Sequence, residues 1–306
     1  MKRDFIDLWD LTPEELWEIV KKTQKVKKGI ENLGKPLEGK SIALIFTKPS
    51  TRTRVSFEVG IYQLGGNSMF FQEKDLQVSR GEDVKDTART LSGYVDGVIV
   101  RNHSHKWLEN FAEFASVPVI NALTDMSHPC QTLSDIYTLY ETFGEEMKNL
   151  KIVYVGDGNN VCNTLIVGAG MFGLRLFVAT PEGYEPNLLY YKKGLDFAKE
   201  TGGEIEVIND PIEAVRDADV IYTDVWISMG EKEKDLEVFK PFQVNESLLS
   251  YAKENVKVMH CLPAKKGQEI TEEVFEKNAD FIFTQAKNRL HVQKTLLAYL
   301  FREPQA

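Results

Sequence analysis

Apolar positions along this chain follow two alternating rhythms. Short runs rich in β-branched and aromatic residues are separated by longer stretches whose apolar positions recur three and four apart. The short runs are "SIALIF" (41–46), "SMFF" (68–71), "GVIVR" (97–101) and "VPVIN" (117–121), and helical patterns fill 51–64, 82–94 and 106–115. A longer helix is expected from Pro129 to Phe143, with Gly144 ending it. The alternation then restarts with "KIVYVG" (151–156), "RLFVA" (175–179), "EIEVI" (204–208), "DVIYTD" (219–224), "VKVMH" (256–260) and "DFIF" (280–283), and a last helix runs over 286–301. Strand–helix repetition of this kind predicts an α/β protein with parallel sheets flanked by helices. The restart predicts two domains, 1–140 and 141–285, with the C-terminal helix (286–306) packing back on the first. An initial helix begins at Thr12-Pro13-Glu14-Glu15, where Thr12 and Glu15 form a capping box, Pro13 takes the first helical position, and Leu16, Ile19 and Val20 share a face.

The stretch "FTKPSTRTRVSF" (46–57) departs from this orderly pattern. It gathers Lys48, Arg52 and Arg54 with Ser50, Thr51, Thr53 and Ser56 where a buried strand stops and a helix starts. Ser50 reads as the capping residue, with Val55, Val59 and Tyr62 marking an apolar face that Phe57, Ile61 and Leu64 widen. Gly65-Gly66 end the helix. The hydroxyls and Arg52 thus fall in a first turn that has unpaired N–H groups and a partial positive charge. Cations there are unfavourable by roughly 0.3–1 kcal/mol each unless an anion is present. The pattern points to an anion site, most naturally for a phosphate.

Composition narrows the function. The chain has 306 residues and a formal net charge of −9, which argues against a nucleic-acid partner. Its three cysteines, Cys130, Cys162 and Cys261, form no CxxC and are odd in number, as suits reduced thiols in a cytoplasmic protein. The charged N-terminus is no signal peptide, and no apolar run approaches the roughly 18 residues that a membrane span needs. His103 and His105 are the only close histidine pair and lack a carboxylate or cysteine at metal-ligand spacing, so no metal is expected.

In open α/β sheets, ligands bind at the carboxyl ends of strands. Arg101 ends the third run, and the fourth leads to "NALTDMSHPCQTLSD", which puts His128 at the N-terminal edge of a helix and Gln131 in its first turn. A helix N-terminus depresses a histidine's pKa, and a neutral imidazole can donate to a carbonyl without competing for a proton. "GDGNNVCNTL" resembles a dinucleotide fingerprint without its third glycine, and the next strand ends at Thr180 rather than an acid, so no nucleotide cofactor is expected. Asn163 is placed to present its amide. "TDVWISMG" and "MHCLPA" put Asp224 and Cys261 at strand ends. His260 and Cys261 are adjacent strand residues and should face opposite ways. Arg289 is read as starting the final helix.

Together, Ser50-Thr51-Arg52-Thr53-Arg54, His128-Pro129-Cys130-Gln131, Asp224-Val225-Trp226-Ile227-Ser228-Met229-Gly230 and His260-Cys261-Leu262-Pro263 resemble the transcarbamylases, the ornithine type in particular. The resemblance spans essentially the whole chain, in order. It implies transfer of a carbamoyl group from carbamoyl phosphate to L-ornithine, without a cofactor. The first domain would then bind carbamoyl phosphate. Ser50, Thr51, Arg52 and Thr53 would hold the phosphate, and Arg101, His128 and Gln131 the carbamoyl group. Asn163, Asp224, Ser228 and the Met229 backbone would hold ornithine in the second domain, and Cys261, the Leu262 carbonyl and Arg289 would complete the site. Arg52, Arg101, His128, Asp224 and Cys261 would carry the catalysis. The resemblance also implies a homotrimer or a multiple of trimers, with Gln77 reaching a neighbour's phosphate. Ser79 and Lys287 stand where the family commonly has glycine and glutamate. The alternative is another amine acceptor: putrescine, acetylornithine or aspartate. Readings from other classes are a two-lobed binding protein and an NAD dehydrogenase.

Overall fold

The computed structural model describes residues 2–227 and 234–302, with Glu73 described in its backbone only. Two compact units divide the chain, Met1–Tyr137 with Asn288–Ala306, and Thr138–Lys287.

The first unit contains α1 (Pro13–Lys27), β1 (Ser41–Phe46), α2 (Thr51–Gln63), β2 (Asn67–Gln72), α3 (Val84–Ser92), β3 (Gly97–Arg101), α4 (His105–Phe114), β4 (Val119–Leu123) and the start of α5 (Pro129–Phe143). Its four strands are parallel in the order β2-β1-β3-β4. Residues 42–46 of β1 are all buried, as a strand covered on both faces requires. Ala43, Ile45, Val98, Val100, Leu108, Phe111 and Val119 build the core on one side of the sheet. The capping box of Thr12 and Glu15 is present at α1. The strand expected at 117–121 begins instead at Val119, because Pro118 has no N–H for the ladder.

The second unit holds β5 (Lys151–Val155), α6 (Asn160–Phe172), β6 (Arg175–Ala179), α7 (Leu188–Thr201), β7 (Glu204–Ile208), α8 (Pro211–Val215), β8 (Val220–Thr223), α9 (Glu246–Leu249), β9 (Lys257–His260), α10 (Glu272–Lys277) and the first part of α11 (Ala279–Leu300). Its parallel sheet runs β7-β6-β5-β8-β9. α6 is buried all round and packs closely against α7. A Cβ on Gly170 would strike the Gly194 carbonyl oxygen, so glycine is required there.

Further sequence expectations fail. "DFIF" is not a strand but the opening of α11, so Arg289 lies well inside that helix rather than at its start. The run is short, and no glycine or proline separates it from the rest of the helix. Buried Ile282, Gln285, Arg289, Val292, Leu296 and Tyr299 continue one helical face through it. On α2 the buried face is Thr53, Ser56, Phe57, Gly60 and Ile61. Val55, Val59 and Tyr62 are exposed. Their apolar spacing is real, but α11 packs against the other side of the helix, at Thr53, Ser56 and Gly60.

The N-terminal segment is tied to the first sheet. Phe5 N donates to the Val119 carbonyl at 2.9 Å, and Asn121 N donates to the Phe5 carbonyl at 2.8 Å. Beside this strap, buried Asp7 lies 3.3 Å from His105 Nε2. Burial opposes the charged imidazole, but the hydrogen bond and charge of Asp7, helped by Glu109 and Asp125, outweigh it and raise the His105 pKa above its usual value. A group whose folded pKa is raised contributes its full stabilisation below the unfolded value, about 6.5, and loses it as pH rises through the folded one. Hydrogen exchange of the amides of residues 5–11 should therefore quicken as pH rises through the folded value, beyond the intrinsic pH dependence of exchange. His105→Gln should remove that extra step.

Candidate active site

Each sheet has one place where neighbouring strands lead their chains off in opposite directions, and such switch points open crevices at the carboxyl ends. In the first unit it lies between β1 and β3, and in the second between β5 and β8. The candidate residues collect at these two places.

In the first unit, Thr47 N donates to the Arg101 carbonyl at 2.9 Å, which joins the exits of β1 and β3. A pocket of about 830 Å³ opens on the β2 side of the β1 exit, lined in part by Lys48, Ser50, Thr51, Arg54, Lys74 and Ser79, while Arg52, Thr53, Arg101, His128 and Arg289 do not line it. Ser50 occupies the N-cap position of α2 but its side chain makes no capping bond, contrary to the sequence reading. Eight other helices, α1, α3, α4 and α6 to α10, are each capped by a side-chain oxygen. Thr51 and Arg52 are exposed at this turn. Arg54 turns aside, paired with Glu58 at 3.1 Å and lying 3.6 Å over the Phe70 ring.

Thr53 faces inward and accepts from Arg289 Nη2 at 3.0 Å. Arg289 Nη1 donates to Gln131 Oε1, and Gln131 Nε2 donates to Asp135 Oδ1 at 2.8 Å. α2, α5 and α11 thus meet on one guanidinium. Burial holds the His128 pKa well below the usual histidine value, and Arg289 and Arg101 push it the same way. Burial therefore leads, not the helix terminus that the sequence suggested. Burial also pushes the Cys130 thiol up to about 12, with Arg289 opposing, so this cysteine is inert. Gln77 is exposed on the turn Gln77–Arg80, where Ser79 Oγ donates to the Leu76 carbonyl at 2.7 Å.

In the second unit, Asp224 leaves β8 and is buried. Its Oδ2 accepts from Asn159 Nδ2 at 2.9 Å and its Oδ1 from Cys261 Sγ at 2.9 Å. Asn159 was not singled out in the sequence. Its Oδ1 caps α6 by accepting from Val161 N and Cys162 N, which leaves the amide nitrogen aimed at Asp224. The visible signal was an asparagine between a strand's glycine turn and a helix. Asn163 is buried one turn on, and its Oδ1 accepts from Asn187 N at 2.8 Å. Ser228 and Met229 lie outside the described residues. Burial raises the pKa of Cys162 and Tyr154 well above their usual values, so both stay protonated.

His260 and Cys261 do part as alternation requires. Fully buried His260 accepts from Leu262 N at Nδ1 (2.8 Å), so Nε2 carries the proton directed at Glu269, 3.0 Å away. The bond to Leu262 holds a residue with φ of 61°, in the left-handed region, immediately after the thiol. Donor atoms of Asp224, His260 and Cys261 nevertheless lie within 4.8 Å of one another. Sequence spacing hid this trio, because two strand ends bring it together. A cation there would have to displace a partner of His260. In the glycine-rich turn the backbone of Tyr184 to Pro186 packs directly on Gly158, whose N–H donates to the Tyr184 carbonyl at 2.9 Å.

Comparison with known proteins identifies the family. The family description "Aspartate/ornithine carbamoyltransferase, carbamoyl-P binding domain" matches residues 3–141, and its partner, "Asp/Orn binding domain", matches 148–300. An ornithine carbamoyltransferase of Aquifex aeolicus is 80% identical over 306 residues, covering 100% of both chains. The chain belongs to the ornithine carbamoyltransferase family. Among solved structures, the family member from Pyrococcus furiosus superposes with a TM-score of 0.90 at 48% identity, over 97% of this chain and 96% of that one. The anabolic member from Campylobacter jejuni gives 0.92 at 41%, over 98% and 99%.

The Asn159–Asp224 bond yields a test. Asn159→Ala should lower stability by about 1 kcal/mol through the lost cap. It should also raise KM for the amine substrate about tenfold, the worth of one hydrogen bond to a charged group, with KM for carbamoyl phosphate little changed. Steady-state kinetics and a thermal melt check both.

Proposed function

We propose a division of labour for the reaction of this chain, which transfers the carbamoyl group of carbamoyl phosphate to the side-chain amine of L-ornithine, giving L-citrulline and phosphate. The first unit is the carbamoyl-phosphate domain. Ser50, Thr51, Arg52 and Thr53 hold the phosphate at the start of α2. The observation that carries this assignment is the uncapped first turn, with cations beside it and a pocket in front. Arg101, His128, Gln131 and Arg289 hold the carbamoyl group. A guanidinium and a neutral imidazole stabilise the oxygen as negative charge grows on it.

The second unit is the ornithine domain. Asp224 takes the α-ammonium. Each of its oxygens keeps a lone pair beyond the bonds from Asn159 and Cys261. Asn163, Ser228 and Met229 complete the amino-acid end, and the Cys261 thiol and Leu262 carbonyl serve the amine end. A free alkylamine keeps its proton to about pH 10, so the enzyme must take up or generate the neutral form. The amine nitrogen bonds to the carbamoyl carbon, the carbon–oxygen bond to phosphate breaks, and the nitrogen gives up a proton. No covalent enzyme intermediate is needed.

The reading extends to assembly and setting. A homotrimer, or a multiple of trimers, is supported by the exposed Val55, Val59 and Tyr62 beside the pocket and by the exposed Gln77, available to a neighbouring copy. A cytoplasmic setting is supported by three unbridged cysteines. Among the described residues no helix is long and apolar enough to cross a membrane.

The phosphate assignment is tested by Arg52→Gly. Citrulline formation per carbamoyl phosphate (kcat/KM) should fall about 10²–10³-fold, the cost of one such donor, while the melting temperature holds. Undiminished turnover would refute the assignment.

A further inference from the structure

We infer that Gln293 is a positioning residue that aims Arg289 at the carbamoyl-phosphate site; this rests on the role given to Arg289 above. Gln293 is fully buried on α11, one turn beyond Arg289. Its Oε1 accepts from Arg289 Nε at 3.0 Å and lies 2.9 Å from Ser56 Oγ on α2. Arg289 Nε is an obligate donor, so the amide must turn its oxygen that way. The Gln293 Nε2 is then left buried without a hydrogen-bond partner among the described residues. An amide kept for packing alone would be replaceable by an apolar side chain that leaves no donor stranded. The orphaned nitrogen is the mark of a group retained for its oxygen.

Guanidinium geometry gives that oxygen its leverage. The group is planar and its donors point in fixed directions. Fixing Nε fixes the plane, and with it the two terminal nitrogens that reach Thr53 Oγ1 and Gln131 Oε1. Arginine has several flexible torsions, and the i to i+4 contact along α11 removes the last of that freedom. Ser56 fastens the same oxygen to α2, one turn after Thr53; its hydroxyl also lies 3.1 Å from the Thr53 carbonyl. Gln293 thereby sets the angle of Arg289 relative to the first turn of α2.

The test uses Gln293→Met, similar in size with no acceptor for Nε, and Gln293→Glu, which keeps an acceptor. Gln293→Met should lower kcat/KM for carbamoyl phosphate at least tenfold in the folded enzyme; the melting temperature does not discriminate, since the variant removes one stranded N–H pair but leaves Arg289 Nε without its acceptor. Gln293→Glu should recover most of that loss. A purely structural glutamine would give normal kinetics in the folded enzyme. Normal kinetics in Gln293→Met, or a loss that Gln293→Glu shares in full, would overturn the inference. Arg289→Met separates the two levels. Full activity in that variant would overturn the reading of Arg289 and this inference with it. Loss in Arg289→Met alongside normal Gln293→Met would overturn this inference alone.

Discussion

The first turn of α2 combines three things a helix start normally avoids. Its N-cap hydroxyl makes no bond to the turn, Arg52 stands beside the positive end of the dipole, and the neighbouring Lys48 adds another cation. Each raises the free energy of the empty protein, and a bound dianion reverses the sign of all three. The rest of the first unit can be read as support for this turn. β1 delivers it to the sheet's switch point, and Ser56, Phe57, Gly60 and Ile61 bury the opposite face of the helix. α11 then brings Arg289 against Thr53 from inside. Rigid support is what allows an unfavourable local arrangement to persist until the ligand arrives.

The second unit handles its candidate site by another route. The neighbours of the Asp224 carboxylate are arranged to hold that group rather than to neutralise it. Asn159 gives Asp224 a donor only because the same side chain is fixed as the cap of α6. Cys261 gives the second because β9 ends there and Leu262 is locked in place by His260. One carboxylate is thus oriented through two backbone features, a helix start and a strand end.

Much of this was legible in the sequence. Strand runs, the capping box and the gathering of cations at residues 48–54 carry local physical signals, and those survive folding. What was not legible depended on which side of an element the rest of the protein covers. Val55, Val59 and Tyr62 have the spacing of a buried face, yet the face that is buried carries Thr53, Ser56, Phe57, Gly60 and Ile61. "DFIF" has the composition of a strand, yet its neighbours continue one helical face without a break. Asn159 went unremarked beside Asn163, because nothing local in the sequence shows that the amide nitrogen of a capping asparagine meets the end of another strand. A side chain with two functional ends can serve both a helix and a site, and sequence reading counts only one of them. The Asp224, His260 and Cys261 grouping was hidden for a different reason: parallel strands bring together residues that are far apart in sequence.

The titratable groups suggest a common logic to both units. Burial keeps His128, Cys130, Cys162 and Tyr154 in their neutral forms. Beside the lysines that line the pocket, the first candidate site then holds guanidinium groups, whose charge does not vary in any accessible pH range. Such a set cannot serve as a tunable acid–base pair, and carbamoyl transfer to an amine does not call for one. The reaction needs a fixed field at the carbonyl oxygen and a leaving group that departs already neutralised. The proton that must be lost belongs to the incoming amine. A site built from permanent charges and buried neutral groups leaves the amine's own ionisation as the main source of pH dependence near neutrality, so rate should track the fraction of substrate that is free base.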